Sequence, residues 1–249
     1  MTALLLLLAL TLTGCASTPT APAGNAPDDC RLPYETADPW EPFNRAVYNF
    51  NARFDEAIFL PVSRGYQRVL PQPVRTGVNN FFANLGEVGN VLNHSLQGRP
   101  GRALHNLGRF VINSTVGIGG LFDPASPLGL ERQPTGFGDT LARWGTASGP
   151  YLVVPFIGPS SLRDGSGLLV GSVITYQIDL AGLYQSDNNW VLGGVNAIDT
   201  RANVDFRYYA SGSPFEYEMV RFLYTNKRMI ESEQPLPALD NCERPEDPG

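Results

Sequence analysis

The chain has 249 residues, 43% of them hydrophobic and 17% charged, with a formal net charge of −6. That is enough chain for one large domain or two small ones, and it argues against a nucleic-acid partner, because no basic patch is large enough to offset phosphates. After Cys15 no apolar run approaches the roughly eighteen residues of a conventional membrane-spanning helix; 151–157 and 167–171 are the longest candidates, and Pro or Gly breaks them.

Residues 3–12 are almost entirely Ala, Leu and Thr. A run of about ten apolar residues suits the core of a signal peptide and is too short to cross a bilayer. It ends in Leu12-Thr13-Gly14-Cys15, which resembles a bacterial lipobox. The resemblance implies a signal peptide over 1–14, cleavage before Cys15 and acylation there, palmitate among the chains. Each buried methylene contributes roughly 0.8 kcal/mol, so several chains make a durable anchor. An ordinary signal peptide with a chance Cys is the competing reading, and no Lys or Arg precedes the apolar run. Ala16, where an Asp is absent, implies by the same resemblance export to the outer membrane. Residues 15–37, rich in Pro, Ala, Thr and Asp, read as a disordered acylated tether.

A domain over 38–233 follows, and its segments read as helices. Asp38-Pro39-Trp40-Glu41 offers an N-cap, a Pro at the first helical position and an acid three residues on. Phe43, Val47, Phe50, Phe54 and Ile58 continue at helical spacing. Val78, Phe81, Phe82, Leu85, Val88 and Leu92 mark a second amphipathic helix from Val74, and Leu104, Leu107, Phe110 and Val111 a third between 101 and 116. Ser213-Pro214-Phe215-Glu216 reads as another capping box, opening a helix through Met219, Phe222, Leu223 and Ile230. Strand alternation is hard to find, so the fold class is mainly α. Three apolar, glycine-rich connectors, 116–124, 149–158 and 192–194, suit lipid or a closely packed cavity better than an aqueous surface. Each aromatic stripe reads either as core or as a face for a bilayer interface. From 234 to 249 runs a Pro-rich acidic tail. Cys30 and Cys242 read as a disulfide joining the two ends, or as two free thiols.

Reactive chemistry is sparse. His94 and His105 are the only histidines, separated by the Gly-Arg-Pro-Gly break at 98–101. No Gly-x-Ser-x-Gly elbow occurs, and the CxxC and HExxH metal spacings are absent. Ser160-Ser161 reads as a helix N-cap, with Arg163 and Asp164 in its first turn as an exposed ion pair or, alternatively, as lining of a polar path. No catalytic residue, metal ligand or cofactor is therefore assigned.

Asp38-Pro39-Trp40-Glu41-Pro42-Phe43-Asn44-Arg45 and Tyr48-Asn49-Phe50-Asn51 resemble the opening of the VacJ/MlaA family of outer-membrane lipoproteins. So do Leu70-Pro71-Gln72-Pro73-Val74-Arg75, Asn79-Asn80-Phe81, Leu96-Gln97-Gly98, Arg109-Phe110-Val111-Ile112-Asn113-Ser114-Thr115 and Gly117-Ile118-Gly119-Gly120-Leu121-Phe122-Asp123. Phe137-Gly138-Asp139-Thr140-Leu141, Gly149-Pro150-Tyr151-Leu152-Val153-Val154-Pro155-Phe156 and Ser161-Leu162-Arg163-Asp164 complete the series. The resemblance implies a ring-like bundle of amphipathic helices in the periplasmic leaflet of a Gram-negative outer membrane, with a central amphipathic channel. It implies a non-enzymatic role: mislocalised phospholipid leaves the outer leaflet through the channel and passes to a soluble periplasmic carrier, in association with a porin trimer. Carried over residue by residue, channel gating falls on Asn49 and Phe50. The channel wall falls on Gly117, Gly119 and Gly120, where glycine also serves tight turns. A structural lipoprotein that scaffolds a porin or envelope complex is the alternative, and a hydrolase without a recognised motif is a third reading.

Overall fold

The computed structural model describes residues 38–231 apart from 180, 181, 184, 188 and 211. Cys15, Cys30 and Cys242 lie outside the described residues, as do all of the segments expected as signal peptide (1–14), tether (15–37) and tail (234–249). As expected, the fold is mainly α. Helix α1 (Glu41–Phe54), a π-helical turn (Asp55–Phe59) and α2 (Leu60–Val69) form one continuous run. The π turn sits where the Pro61 ring would otherwise collide with the carbonyl of Ala57, four residues back. Leu70 is extended (φ −99°, ψ 122°), as a residue preceding proline must be, and stops α2.

Helix α3 (Gln72–Leu96) follows, then α4 (Pro100–Thr115), each with Pro in its first turn. A Schellman turn joins them: the Gly98 amide bonds to Ser95 O (3.1 Å), the Arg99 amide to His94 O (2.9 Å), and Gly98 sits at φ +70°. A 3₁₀ turn (Ser126–Leu128) and α5 (Phe137–Arg143) lead to strands β1 (Tyr151–Val154) and β2 (Gly158–Ser161). Helices α6 (Leu162–Ile178), α7 (Asn189–Ala202) and α8 (Glu216–Glu231) complete the described chain. Helix α3 packs along α4, α5 on α6, and α2 on α7.

Several expectations need correction. Helix α1 is capped by Trp40, not Asp38, and its first-turn proline is Pro42. Asp38 is a long-range tie instead, accepting from Asn44 Nδ2 (2.7 Å), Tyr217 Oη (2.5 Å) and Arg221 Nη1 (3.2 Å). The connector 192–194 is helical, inside α7. The connector 149–158 supplies the first strand and tip of an antiparallel hairpin, pairing Tyr151 with Ser161 and Val154 with Gly158. Four-residue strands are too short to show alternation, and much of their support comes from a helix. Asn44 donates to Tyr151 O (3.0 Å) and accepts from Val153 N (2.8 Å). Asn51, two helical turns on, donates to Val154 O (3.1 Å) and accepts from Phe156 N (2.8 Å). Two asparagines on one face of α1 thus satisfy the edge of β1 as a neighbouring strand would.

Polarity decides between the two readings of the aromatic stripes. Of the α1 stripe, Phe43 is 55% exposed and Phe50 46%, while Val47 is buried with Asn44, Tyr48 and Asn51. Helix α4 repeats this, exposing Leu104, Leu107 and Val111 and burying Asn106, Arg109 and Asn113. Among the described residues, 18 buried side chains are polar or charged and nine are hydrophobic, while 36 large hydrophobics are exposed, against the usual ordering of a protein in water.

Candidate functional site

A polar interior is stable only when every charge is paired and hydrogen-bonded. Arg109 on α4 meets that condition. Its Nε donates to Glu87 Oε1 on α3 (2.8 Å), Nη1 to Ser126 Oγ (3.1 Å) and Leu130 O, and Nη2 to both Asp123 oxygens (3.2 and 3.1 Å). Asn113 Nδ2 adds a bond to Asp123 (3.0 Å). Burial works to raise the Asp123 carboxyl, but the bonds from Ser126, Arg109 and Asn113 outweigh it and hold the group at about 2.

A second cluster joins α5, α6 and α8. Arg228 donates to both oxygens of Asp164 (2.9 Å each) and to Asp139 Oδ1 (2.7 Å), and Tyr224 Oη donates to Asp164 (2.7 Å). Here too burial opposes ionisation, and the bonds from Arg228 and Tyr224 bring the Asp164 carboxyl down to about 2. The Arg163–Asp164 pair expected at the surface is interior, with Arg163 only 3% exposed. Ser161 is the N-cap of α6, accepting from the Asp164 amide at 3.1 Å, as its place before Leu162 predicts.

Between these clusters lies an apolar cavity of about 810 Å³. Leu85, Val88 and Leu92 of α3 form one wall, Phe110 and Phe137 another, and Leu168 and Ile174 of α6 a third. Gly86 and Gly89 on α3 and Gly167 and Gly171 on α6 make room, since a side chain at those positions would project into the space or its walls. Asn90, Asn93 and Thr135 supply polar groups on one side, and Ser172, Thr175 and Asp179 at the α6 side. Such a chamber suits hydrocarbon with a polar end. Glycines three to four apart on two helices were the signal in the sequence that could have found it.

The expected site residues fall into separate places. Asn49 and Phe50 are exposed on α1. Asn49 Oδ1 accepts from Tyr209 Oη, tying α1 to the segment before α8. Phe50 stacks with Phe54 (6.1 Å between centroids) and meets Phe156, at the hairpin tip, edge-on (5.2 Å). Gly117, Gly119 and Gly120 form a hydrogen-bonded turn after α4, with the Gly119 amide on Ser114 O (2.9 Å) and the Gly120 amide on Asn113 O (2.8 Å). A Cβ on Gly117 would lie 2.4 Å from Asn113 O, and one on Gly120, whose φ is +91°, 2.7 Å from Asn84 Cβ. Neither stretch lines the apolar cavity. His94 Nε2 meets Gln133 O (3.2 Å) and His105 Nε2 meets Glu131 O (2.8 Å). No helix among the described residues is long and apolar enough to cross a membrane.

Oil-facing flanks around an ion-paired interior define a helical protein whose outer surface is matched to a membrane or an apolar partner. The profile of the MlaA lipoprotein family matches residues 36–231, and the chain belongs to that family. The match continues past Gly171, where the sequence motifs thin out. The chain is 35% identical over 226 residues to the intermembrane phospholipid transport system lipoprotein MlaA of Escherichia coli, covering 86% of this chain and 81% of that one. To the MlaA of Haemophilus influenzae it is 30% identical over 253 residues, 93% of each. A solved structure described as the structural basis for maintenance of bacterial outer membrane lipid asymmetry superposes with a TM-score of 0.66 at 31% identity, covering 79% of this chain and 99% of the other. The named relatives are transport-system lipoproteins, not enzymes.

Proposed function

We propose that this protein is an outer-membrane lipoprotein of intermembrane phospholipid transport, held by acylated Cys15 in the periplasmic leaflet as a ring of helices around an amphipathic passage. It removes mislocalised phospholipid from the outer leaflet and passes it to a soluble periplasmic carrier, beside a porin trimer. The observation that carries this reading is the inverted polarity, apolar outside and polar within. A phospholipid flips slowly because its headgroup must cross hydrocarbon. A passage with a polar lining, beside a cavity for acyl chains, removes that barrier without an energy source. Asn49 and Phe50 gate the passage, supported by their position where α1, the hairpin tip and the Tyr209 segment meet. Gly117, Gly119 and Gly120 serve as part of its wall. The domain boundaries at 38 and 233 and a Cys30–Cys242 disulfide belong to the same proposal.

The test is alanine at Asn49 and Phe50 in the full chain, read by outer-leaflet phospholipid and by recovery of the porin complex. Altered asymmetry with the complex intact is the expected result. If asymmetry changes only when the complex is lost, the protein is a scaffold instead.

A further inference from the structure

On the other side of the 133–136 segment from the apolar cavity lies a smaller pocket of about 400 Å³. Thr135 lines both, and the consecutive residues Asn93 and His94 of α3 line one each. Arg99, Arg102, Arg143 and Arg228 border the smaller pocket together with the carboxylates of Asp139 and Glu231, four cationic groups to two anionic. Arg228 is committed to Asp164 and Asp139, so its charge is already balanced. Arg143, by contrast, is exposed at the end of α5.

His94 gives the second, independent observation. It is 2% exposed, and its Nδ1 is buried with no hydrogen-bond partner among the described residues. Because Nε2 faces the Gln133 carbonyl, Nε2 carries the ring proton and Nδ1 presents a bare lone pair. Burial holds the imidazole below its usual range, and the charges of Arg99 and Arg102 push the same way against Asp139. An anion held by these arginines offsets their charge at the ring and favours protonation at Nδ1. A cluster of arginines with a titratable, unpartnered ring nitrogen behind it is therefore arranged to hold, and to respond to, a tetrahedral oxyanion.

We propose that the pocket bordered by His94, Arg99, Arg102 and Arg143 binds the phosphate of a glycerophospholipid headgroup while the acyl chains occupy the apolar cavity that shares Thr135 with it. This deepens the transport reading and rests on it. The sharing of a wall is what points to a lipid phosphate, since a free phosphate has no use for an adjoining hydrocarbon chamber.

The test uses the full chain in maltoside detergent with ¹⁵N-labelled histidine. Four probes are titrated: dihexanoyl phosphatidylglycerol, dihexanoylglycerol, glycerol 3-phosphate and inorganic phosphate. The phospholipid is expected to bind saturably and to move the His94 Nδ1 resonance toward the protonated, donor position. Arg143→Gln and Arg102→Gln, both at exposed positions on different helices, are each expected to weaken it about tenfold, as loss of one charge-assisted bond implies. Dihexanoylglycerol should bind equally to wild type and variants and leave His94 unmoved. Phospholipid binding that is unchanged in both variants, with His94 silent, overturns the phosphate site and leaves the transport reading standing. Inorganic phosphate binding as tightly as the phospholipid overturns the lipid assignment in favour of a free-phosphate site. If the wild type binds neither phospholipid nor dihexanoylglycerol, the transport reading fails and the proposal with it.

Discussion

Arg109→Met removes the guanidinium hub of the interior and keeps an unbranched apolar stem. Glu87, whose side chain is 3% exposed, loses its cation, while Asp123, at 15%, keeps only the more exposed Arg132 (3.5 Å). Asp123 also keeps the Ser126 hydroxyl (2.7 Å) and Asn113 (3.0 Å), while Glu87 keeps Asn90 (3.0 Å). Stranding one partner of a buried pair costs about 3–5 kcal/mol. A domain of this size loses about 2–4 °C per kcal/mol, so the melting midpoint should fall by about 6–20 °C. Glu87→Gln removes one charge and keeps the shape, leaving Arg109 balanced by Asp123, and should cost less. The decisive quantity is the coupling from the double-mutant cycle, measured by reversible denaturation of the full chain in detergent. A water-excluded interior predicts at least about 2 kcal/mol between Arg109 and Glu87; a water-filled one predicts no more than about 1, the value of exposed pairs. A single-variant loss below about 1 kcal/mol would refute the idea that paired charges hold the interior together.

Acid should destabilise the protein over a defined window. Asp123 and Asp164 sit at about 2 in the folded state, below their unfolded value near 3.8. Depressed carboxylates contribute stability that is complete above pH about 4 and is lost as pH falls toward about 2, roughly 2–3 kcal/mol for each group. Arg228→Gln should flatten the part of that loss due to Asp164, which a denaturation series from pH 6 to 2 would reveal. Two neighbouring glycines should behave differently on conversion to alanine. Gly119, at φ +66° with open space around it, should lose about 1 kcal/mol from backbone strain alone. Gly120→Ala also drives its methyl into Asn84 and disturbs the Asn84–Ser114 bond (2.9 Å), so a loss of about 2–4 kcal/mol is expected from thermal unfolding. Equal losses would show that the turn adapts.

Much of the helical framework was legible because prolines, caps and 3.6-residue spacing are local signals. The start of α4 at Pro100 and the Ser161 cap of α6 follow from such signals. Sidedness was not legible. A stripe of Phe and Leu has the same spacing whether it faces a core or a membrane, so the burial of Asn44 and Asn51 behind Phe43 and Phe50 emerges only from tertiary structure. The hairpin escaped because its edge partner is a pair of asparagine side chains from more than a hundred residues away. Arg163 and Asp164 were misplaced for a related reason: their neighbours Tyr224 and Arg228 arrive from α8, sixty residues on. The cavity needed two helices at once, though its glycines stood in plain view.

The outward-facing side chains also govern how such a molecule can be handled. Among the described residues, 36 large apolar groups meeting bulk water would glue one copy to the next. A monodisperse sample therefore requires detergent or lipid wrapped around these flanks at every stage, and exchanging one for the other must be a swap of coverings, never an interval of nakedness.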